Sequence, residues 1–591
     1  MANLSNPDHR TYKVLGNIYA EYKIFDFLRF RINAGLDFNY YEKKSFTPTY
    51  NIADRYGNTR SSYEETRGKN VTWLTDYLLY FDHTFSSKHS IDGMAGFSQQ
   101  LTTDDDIYGI AYDYVSESKN MQILNGGTNP TDSRNSGAKS QLAMMSWFGR
   151  INYNFADRYL FSFNLRADGS SRFASGNRWG FFPSFSGAWR ISQEEFFNVP
   201  AISNLKLRVN WGQLGNQSVS GRYPTIATLS NMSVLMGAGG YNHTIVPGYY
   251  VANLVNKDLK WETTTITNAG VDIGLLNNRL TASAEYYDKR TSGILRQQVI
   301  PGTVGLGAPN VNFAKVANRG VELEINWQDK INNDFSYFVG ANISTVRNKI
   351  LQLRDGKDEE LRDGGHRDTY INKVGHAIDS FYGWEMEGVY ASQEDIDNSP
   401  TYGSAIVGSI KFKDQNGDKK IDADDRVILG NSIPKMTFGF KLGAQYKNFD
   451  FSMFWQGDLG KKQFMPYEKW LNDGGINYGK WWYDNRWNGE GTPGKWPAVI
   501  WGGAYSMYQM NDFLLTNSSY ARLKNLSVGY SFDMAGKYKF RVYVSGENLV
   551  TITSKDFYGY DPERSGTAQY NNWAYSYPAA MTFMIGANIK F

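Results

Sequence analysis

The sequence predicts an all-β chain, a transmembrane antiparallel β-barrel that crosses the bilayer with strands. Three observations predict it. Apolar and polar residues alternate with period two over runs of about ten residues, the length of a tilted membrane-crossing strand. Short turns alternate with long polar loops, the arrangement of outer-membrane barrels, in which the short side is periplasmic. Aromatic residues make up 16 % of the 591 residues, led by 41 Tyr. They gather near strand ends, as at Tyr22, Phe25, Tyr153, Tyr159, Trp327 and Tyr530, where interfacial girdles sit.

The strands follow in order. In "FLRFRINAGLDFNY", Leu28, Phe30, Ile32, Ala34, Leu36 and Phe38 alternate with Arg29, Arg31, Asn33, Gly35, Asp37 and Asn39. "RLTASAEYYD", "GVELEINW" and "YKFRVYVSGEN" repeat the pattern. The closing "AAMTFMIGANIKF" puts Met581, Phe583, Ile585, Ala587, Ile589 and Phe591 on one face. Almost no 3.6-residue periodicity competes with it. The short turns are "IFD", "FSSKH", "FADR", "LLNNR", "QDKINND", "YKNFD" and "DMAGKYK". Long loops are expected near 41–69, 101–139, 213–259, 291–310, 348–433, 460–517 and 550–577. A soluble propeller would repeat every 40–50 residues or so, and the sequence shows no such repeat.

Composition narrows the function classes. A net charge of +3 gives no footprint for nucleic acid. The absence of cysteine removes disulfides, thiol catalysis and cysteine-based zinc sites. No run of about 20 apolar residues exists for a membrane helix. The mean hydropathy of −0.51 agrees with strands that are apolar on one face. The opening "MANLSNPDHRTYKVLG" has no basic region followed by an apolar run, so it reads as no export signal.

About 17 strands are expected. The first, near Tyr12 to Ile24, runs toward the periplasm, which puts residue 1 outside the cell. Bacterial single-chain barrels have even strand numbers. The expectation is therefore that 1–591 form the C-terminal portion of a larger barrel. Its two most distinctive outer loops are 348–433 and 460–517.

Each of these loops carries a motif. In "DQNGDKKIDADD", Asp414, Asn416, Asp418, Asp422 and Asp425 occupy positions 1, 3, 5, 9 and 12 of an EF-hand-like loop, with Lys420 offering the position-7 carbonyl. A structural calcium is one expectation; a metal-free turn held by Asx side chains is the other. The pattern departs from the calcium motif in having Lys419 at position 6 and Asp at position 12. The second loop holds Tyr467, Trp470, Trp481, Trp482, Trp487, Trp496 and Trp501. Exposed rings stack on sugar faces or dock apolar parts of peptides. The candidate substrate-binding residues are Tyr467, Trp470, Trp481, Trp482 and Trp487, although most of these rings are expected to pack on each other. "GGINYGKW" lacks the Ser or Thr that a phosphate loop needs after Lys480. The six histidines are scattered, and no nucleophile elbow is present, so no enzyme is expected. Glu322, Glu324, Arg29 and Arg31 on polar strand faces are expected to line the lumen.

Several segments, taken in order, resemble the SusC/RagA family of TonB-linked outer-membrane transporters. They are "RWGFFPSFSGAWRISQEEFF", "LKLRVNWGQLGNQ", "LKWETTTITNAGVDIGLL", "ANRGVELEINW", "GSIKFKDQNGDKKIDADDRVILGNSIPKMTFGF", "SSYARLKNLSVGY", "GENLVTIT", "YGYDPE" and the terminal strand. The resemblance implies a barrel of about 22 strands, a plug domain that this chain lacks, and TonB as the energy source. It also implies a SusD-like surface lipoprotein as a lid, outer-membrane lipid around the barrel, and oligosaccharide or oligopeptide import. A C-terminal aromatic, here Phe591, is implied as the signal read by the barrel-assembly machinery. Two other functions stay open on sequence: a surface ligand-capture receptor without energised transport, and an inactive truncated product.

Overall fold

The computed structural model describes residues 7–53, 56–236, 244–298, 300–363, 369–465, 479–490, 496–499, 509–534, 538–559, 561–563 and 579–590. Among these residues the main sheet has eighteen strands. Two of them, Phe335–Thr345 and Arg347–Leu353, both pair with Ala314–Lys330 and are separated by Val346 alone. Counted as one interrupted strand, they bring eighteen to seventeen, the number read from the alternation. The chain forms two compact units.

The first unit comprises Met1–Gly187, Asn210–Thr265 and Gly293–Phe313. Asp8–Phe25, Leu28–Thr47, Ser62–Phe85, His89–Tyr112, Arg134–Phe155 and Tyr159–Ser170 pair antiparallel in chain order. One face of this ribbon is apolar, with Trp147, Ile151, Phe163 and Leu165 exposed. The other is polar and internally hydrogen-bonded. Ser98 donates to Asp76 at 2.6 Å and Arg166 to Ser146 at 2.9 Å. At the turn after Phe155, Ala156 and Asp157 both take left-handed backbone (φ 54° and 56°). That conformation matches a tight hairpin turn to the twist of its strands.

Two expected loops are shorter than the sequence suggested. Pairing continues to Thr47↔Ser62 and to Ile110↔Arg134, so 41–69 contracts to 48–61 and 101–139 to 113–133. The strands reach 20 to 24 residues, about twice what a bilayer requires. The extensions read as loop because they are charged, yet the charges sit opposite one another across the strands. Across the pair Lys44 lies 3.8 Å from Glu65 and Arg67 3.7 Å from Glu42, and Arg67 also reaches Glu65 on its own strand at 2.7 Å. Opposite charges across neighbouring strands support pairing.

The second unit comprises Ala188–Val209, Ile266–Ser292 and Ala314–Phe591. Leu280–Ser292, Ala314–Lys330, Phe335–Thr345, Met436–Tyr446, Phe449–Leu459, Tyr520–Met534, Tyr538–Thr553 and Thr582–Lys590 pair antiparallel in order. Aromatics cluster at the short-turn ends, as expected. The Trp327 indole donates to the Tyr337 hydroxyl at 2.9 Å, and the Phe449 and Tyr530 rings lie 4.7 Å apart. The terminal strand forms as read, Glu547↔Thr582 to Lys539↔Lys590. Phe591 lies outside the described residues.

Among the described residues the α-helices are two short ones, Gln393–Asp397 and Lys480–Asn485. No helix is long and apolar enough to cross a membrane.

Candidate functional site

The two loops that the sequence presents separately, 348–433 and 460–517, meet in a common core. Glu359–Asp363, Thr369–Lys373, Ser380–Gly383 and Val427–Gly430 make a four-stranded sheet. With its Tyr370, Phe381 and Leu429 pack buried Trp384, Ile410 and Phe412 from the first loop and Phe464, Trp482, Met510, Phe513 and Leu514 from the second. Main-chain bonds stitch the loops together. Trp384 N–H donates to Met510 O (3.0 Å), and Ala498 N–H donates to Gly408 O (2.8 Å). The loops are polar on average, but each contributes a few large rings, and burying these supplies the driving force.

The tryptophans divide by exposure. Trp482 is fully buried, 5.3 Å from Trp496 and 5.7 Å from Phe513. The expectation that it offers a face to substrate is therefore corrected: it is a core residue. Trp481 is half-buried and lies parallel to Tyr558 at 4.5 Å. Trp487 is half-buried, and its ring lies where a Cβ on Gly408 would meet it at 2.7 Å. Gly408 has φ +87°, so glycine is required there both by conformation and by the approach of the ring. Tyr467, Trp470 and Trp501 lie outside the described residues. The sequence reading missed Tyr483, which is 65 % exposed with the Arg486 guanidinium 3.9 Å over its ring. Its place in the run "KWWYDNRW" was the available signal.

The acidic turn folds by spending its oxygens on its own backbone. Asp414 accepts from Gly417 N–H (2.6 Å) and Lys419 N–H (2.9 Å), Asn416 from Asp418 N–H, and Asp418 from Lys420 N–H. Asp422 accepts from Asp424 N–H, and buried Asp425 accepts from both Gln415 and Asp422 N–H at 2.8 Å. Lys419, at the position where the calcium motif has glycine, takes left-handed φ of 65°. Among the described residues no group of three or more acidic or histidine side chains is placed to hold a metal ion. The Trp384 indole donates to Asp422 O at 2.8 Å, and the Arg426 guanidinium lies 4.3 Å over the Trp384 ring. The turn is thus fastened to the aromatic core.

Asp512, in the module formed by these two loops, and Asp561, in the loop after Tyr538–Thr553, are displaced in opposite directions. Burial raises the Asp512 carboxyl above its ordinary value, although Met386 N–H donates to it at 2.8 Å. Burial also pushes Asp561 upward, but the Arg522 guanidinium and the Ala579 and Glu563 N–H groups outweigh it and leave the carboxyl lowered. Lys524 completes this cluster, 2.8 Å from Glu563. Sequence reasoning did not find it; its members lie in "YARLK" and "YGYDPE", 39 residues apart.

Residues 3–549 match a family described as TonB dependent receptor-like, beta-barrel. This chain belongs to that family. It is 32 % identical over 467 residues to the TonB-dependent receptor SusC of Bacteroides thetaiotaomicron, covering 76 % of this chain and 44 % of that protein. It is 32 % identical over 596 residues to TonB-dependent receptor P3 of Formosa agariphila, covering 97 % of this chain and 58 % of the relative. The fold is that of a chain in the RagAB peptide transporter structure, with a TM-score of 0.85 at 23 % identity over 99 % of this chain and 62 % of that one. The chain thus spans about three-fifths of the length of P3. The resemblance read from the motifs stands, as does the barrel class. The family is one of outer-membrane transporters and receptors, not enzymes.

Proposed function

We propose that this TonB-dependent receptor barrel takes part in energised nutrient import across the outer membrane, carrying oligosaccharides or oligopeptides. A SusD-like lipoprotein would cover the outer loops, the TonB complex would supply the energy, and the barrel-assembly machinery would read Phe591. The observation that supports this reading is the shared aromatic core of the two long loops. It gathers the described parts of two polar loops into a packed platform from which Trp481, Trp487 and Tyr483 project partly exposed rings. Rings held by a packed base lose little freedom on contact with a ligand or lid.

The test is uptake of labelled oligosaccharide and oligopeptide pools by cells that carry or lack the gene, with and without functional TonB. Gene-dependent and TonB-dependent uptake supports import. Surface binding that needs the gene while uptake ignores TonB supports a capture receptor instead. Loss of both binding and uptake only with loss of the protein from the outer membrane would point to an inactive product.

A further inference from the structure

We infer that the apolar face of the first unit carries a seat for the acyl chain of an anionic phospholipid of the periplasmic leaflet. The inference rests on the outer-membrane location and not on the import reading. Its basis is a surface groove of about 920 Å³. Its floor is set by register. Ala95 faces Gly149 across one strand pair and Gly93 faces Ile151 in the next row. Three side chains that are small or absent therefore adjoin one another on a face otherwise built of large apolar groups. Phe97 and Trp147, paired in register with rings 4.5 Å apart, raise one wall. Ile151 and Phe163, also paired, raise the other. Those wall residues stand exposed, Trp147 at 59 % and Ile151 at 57 %.

Depth identifies the occupant. Gly93 lies four residues beyond His89, the first residue after the short turn at 86–88, and Gly149 four residues before Tyr153, which is near the turn at 156–158. At about 3.3 Å per residue and a tilt near 40°, the floor lies about 10 Å from the level of His89 and Tyr153. That is the depth of one leaflet of a band roughly 25 Å tall. Acyl chains fill this zone, and a groove there gives one chain more contact than the smooth wall does.

Charge identifies the headgroup. Ala156 N–H donates to Lys88 O at 2.7 Å, so the two turns lie side by side, and Lys88 stands exposed at their rim. His89 and Tyr153, 2.8 Å apart through Nδ1 and the hydroxyl, mark the interface just below them. A lysine above an apolar groove matches a phosphate above an acyl chain.

The experiment compares wild type with Gly149→Leu and Lys88→Glu in native membranes and in nanodiscs. A Cβ on Gly149 meets nothing closer than Met94 O at 3.5 Å, so leucine fills the groove without a backbone clash. Phospholipid retained through mild detergent purification is measured by native mass spectrometry, with heat-modifiable migration confirming a folded barrel. Wild type is expected to retain phospholipid, Gly149→Leu to lose it severalfold, and Lys88→Glu to lose its preference for phosphatidylglycerol over phosphatidylcholine. Equal retention by wild type and Gly149→Leu overturns the proposal, as does a changed oligomeric state with lipid unchanged. A second readout needs no groove variant. Brominated-chain phosphatidylglycerol at small mole fraction should quench the Trp147 signal, taken as the difference from Trp147→Phe, well beyond its share of the lipid. Quenching in simple proportion to mole fraction overturns the proposal.

Discussion

The Arg522 guanidinium donates to the Asp561 carboxylate at 2.7 Å, and both side chains are 4 % exposed. Glu563 N–H donates to the same Asp561 oxygen at 3.0 Å, and Ala579 N–H donates to the other at 2.8 Å. One buried pair thus fastens the loop after Tyr538–Thr553 to Tyr520–Met534. Removing one partner strands the other charge, which costs about 3–5 kcal/mol locally. Asp561→Ala should make the segment beyond Thr553 cleavable by protease at concentrations that spare wild type. Resistance equal to wild type would count against the clamp. The pH dependence has a definite sign. A lowered folded pKa contributes stability that is present above the unfolded carboxylate value of about 3.9 and is lost as pH falls through the folded value.

Asp512 should behave in the opposite way. Its folded pKa is raised, chiefly by burial. The resulting stability is full below an unfolded value of about 3.9 and is lost as pH rises through the folded value. Asp512→Asn keeps an oxygen for Met386 N–H and removes the charge. The variant should gain stability relative to wild type as pH rises from acid to neutral, followed by thermal unfolding of the loop module through tryptophan fluorescence. A gap independent of pH would refute the assignment.

Trp481 and Trp482 are neighbours with different duties. Trp482→Ala empties the core and should cost about 3–5 kcal/mol, seen as early melting of the module. Trp481→Ala removes a half-buried ring stacked on Tyr558 and should cost less stability while weakening ligand or lid binding. The pair is measured by thermal unfolding beside binding of labelled glycan or peptide pools. Equal melting losses for the two variants would contradict the division.

The acidic turn should hold without metal. Its carboxylates accept backbone N–H groups, which hold the turn closed by themselves. Calcium or chelator is expected to leave the melting of the module unchanged, whereas a clear calcium-dependent rise would establish the metal site. Lys419 in left-handed backbone carries about 1 kcal/mol of strain, so Lys419→Gly should be neutral or stabilising despite its greater unfolded-state freedom.

By itself the sequence determined the strand period, the alternation of short turns and long loops, the count of about seventeen strands and the family. Each of these is written locally: a period of two survives in any ten-residue window, and turn residues act within four positions. The charged strand extensions were misread because their pairing depends on the facing strand, as Arg67 with Glu42 shows. Tertiary structure decided that Trp384 would meet Met510, that Trp482 would be buried while Tyr483 stayed exposed, and that Arg522 would find Asp561. Such partners are chosen by the path of the returning chain and by the space left in a packed core. Neither is encoded in the spacing or composition of either segment alone.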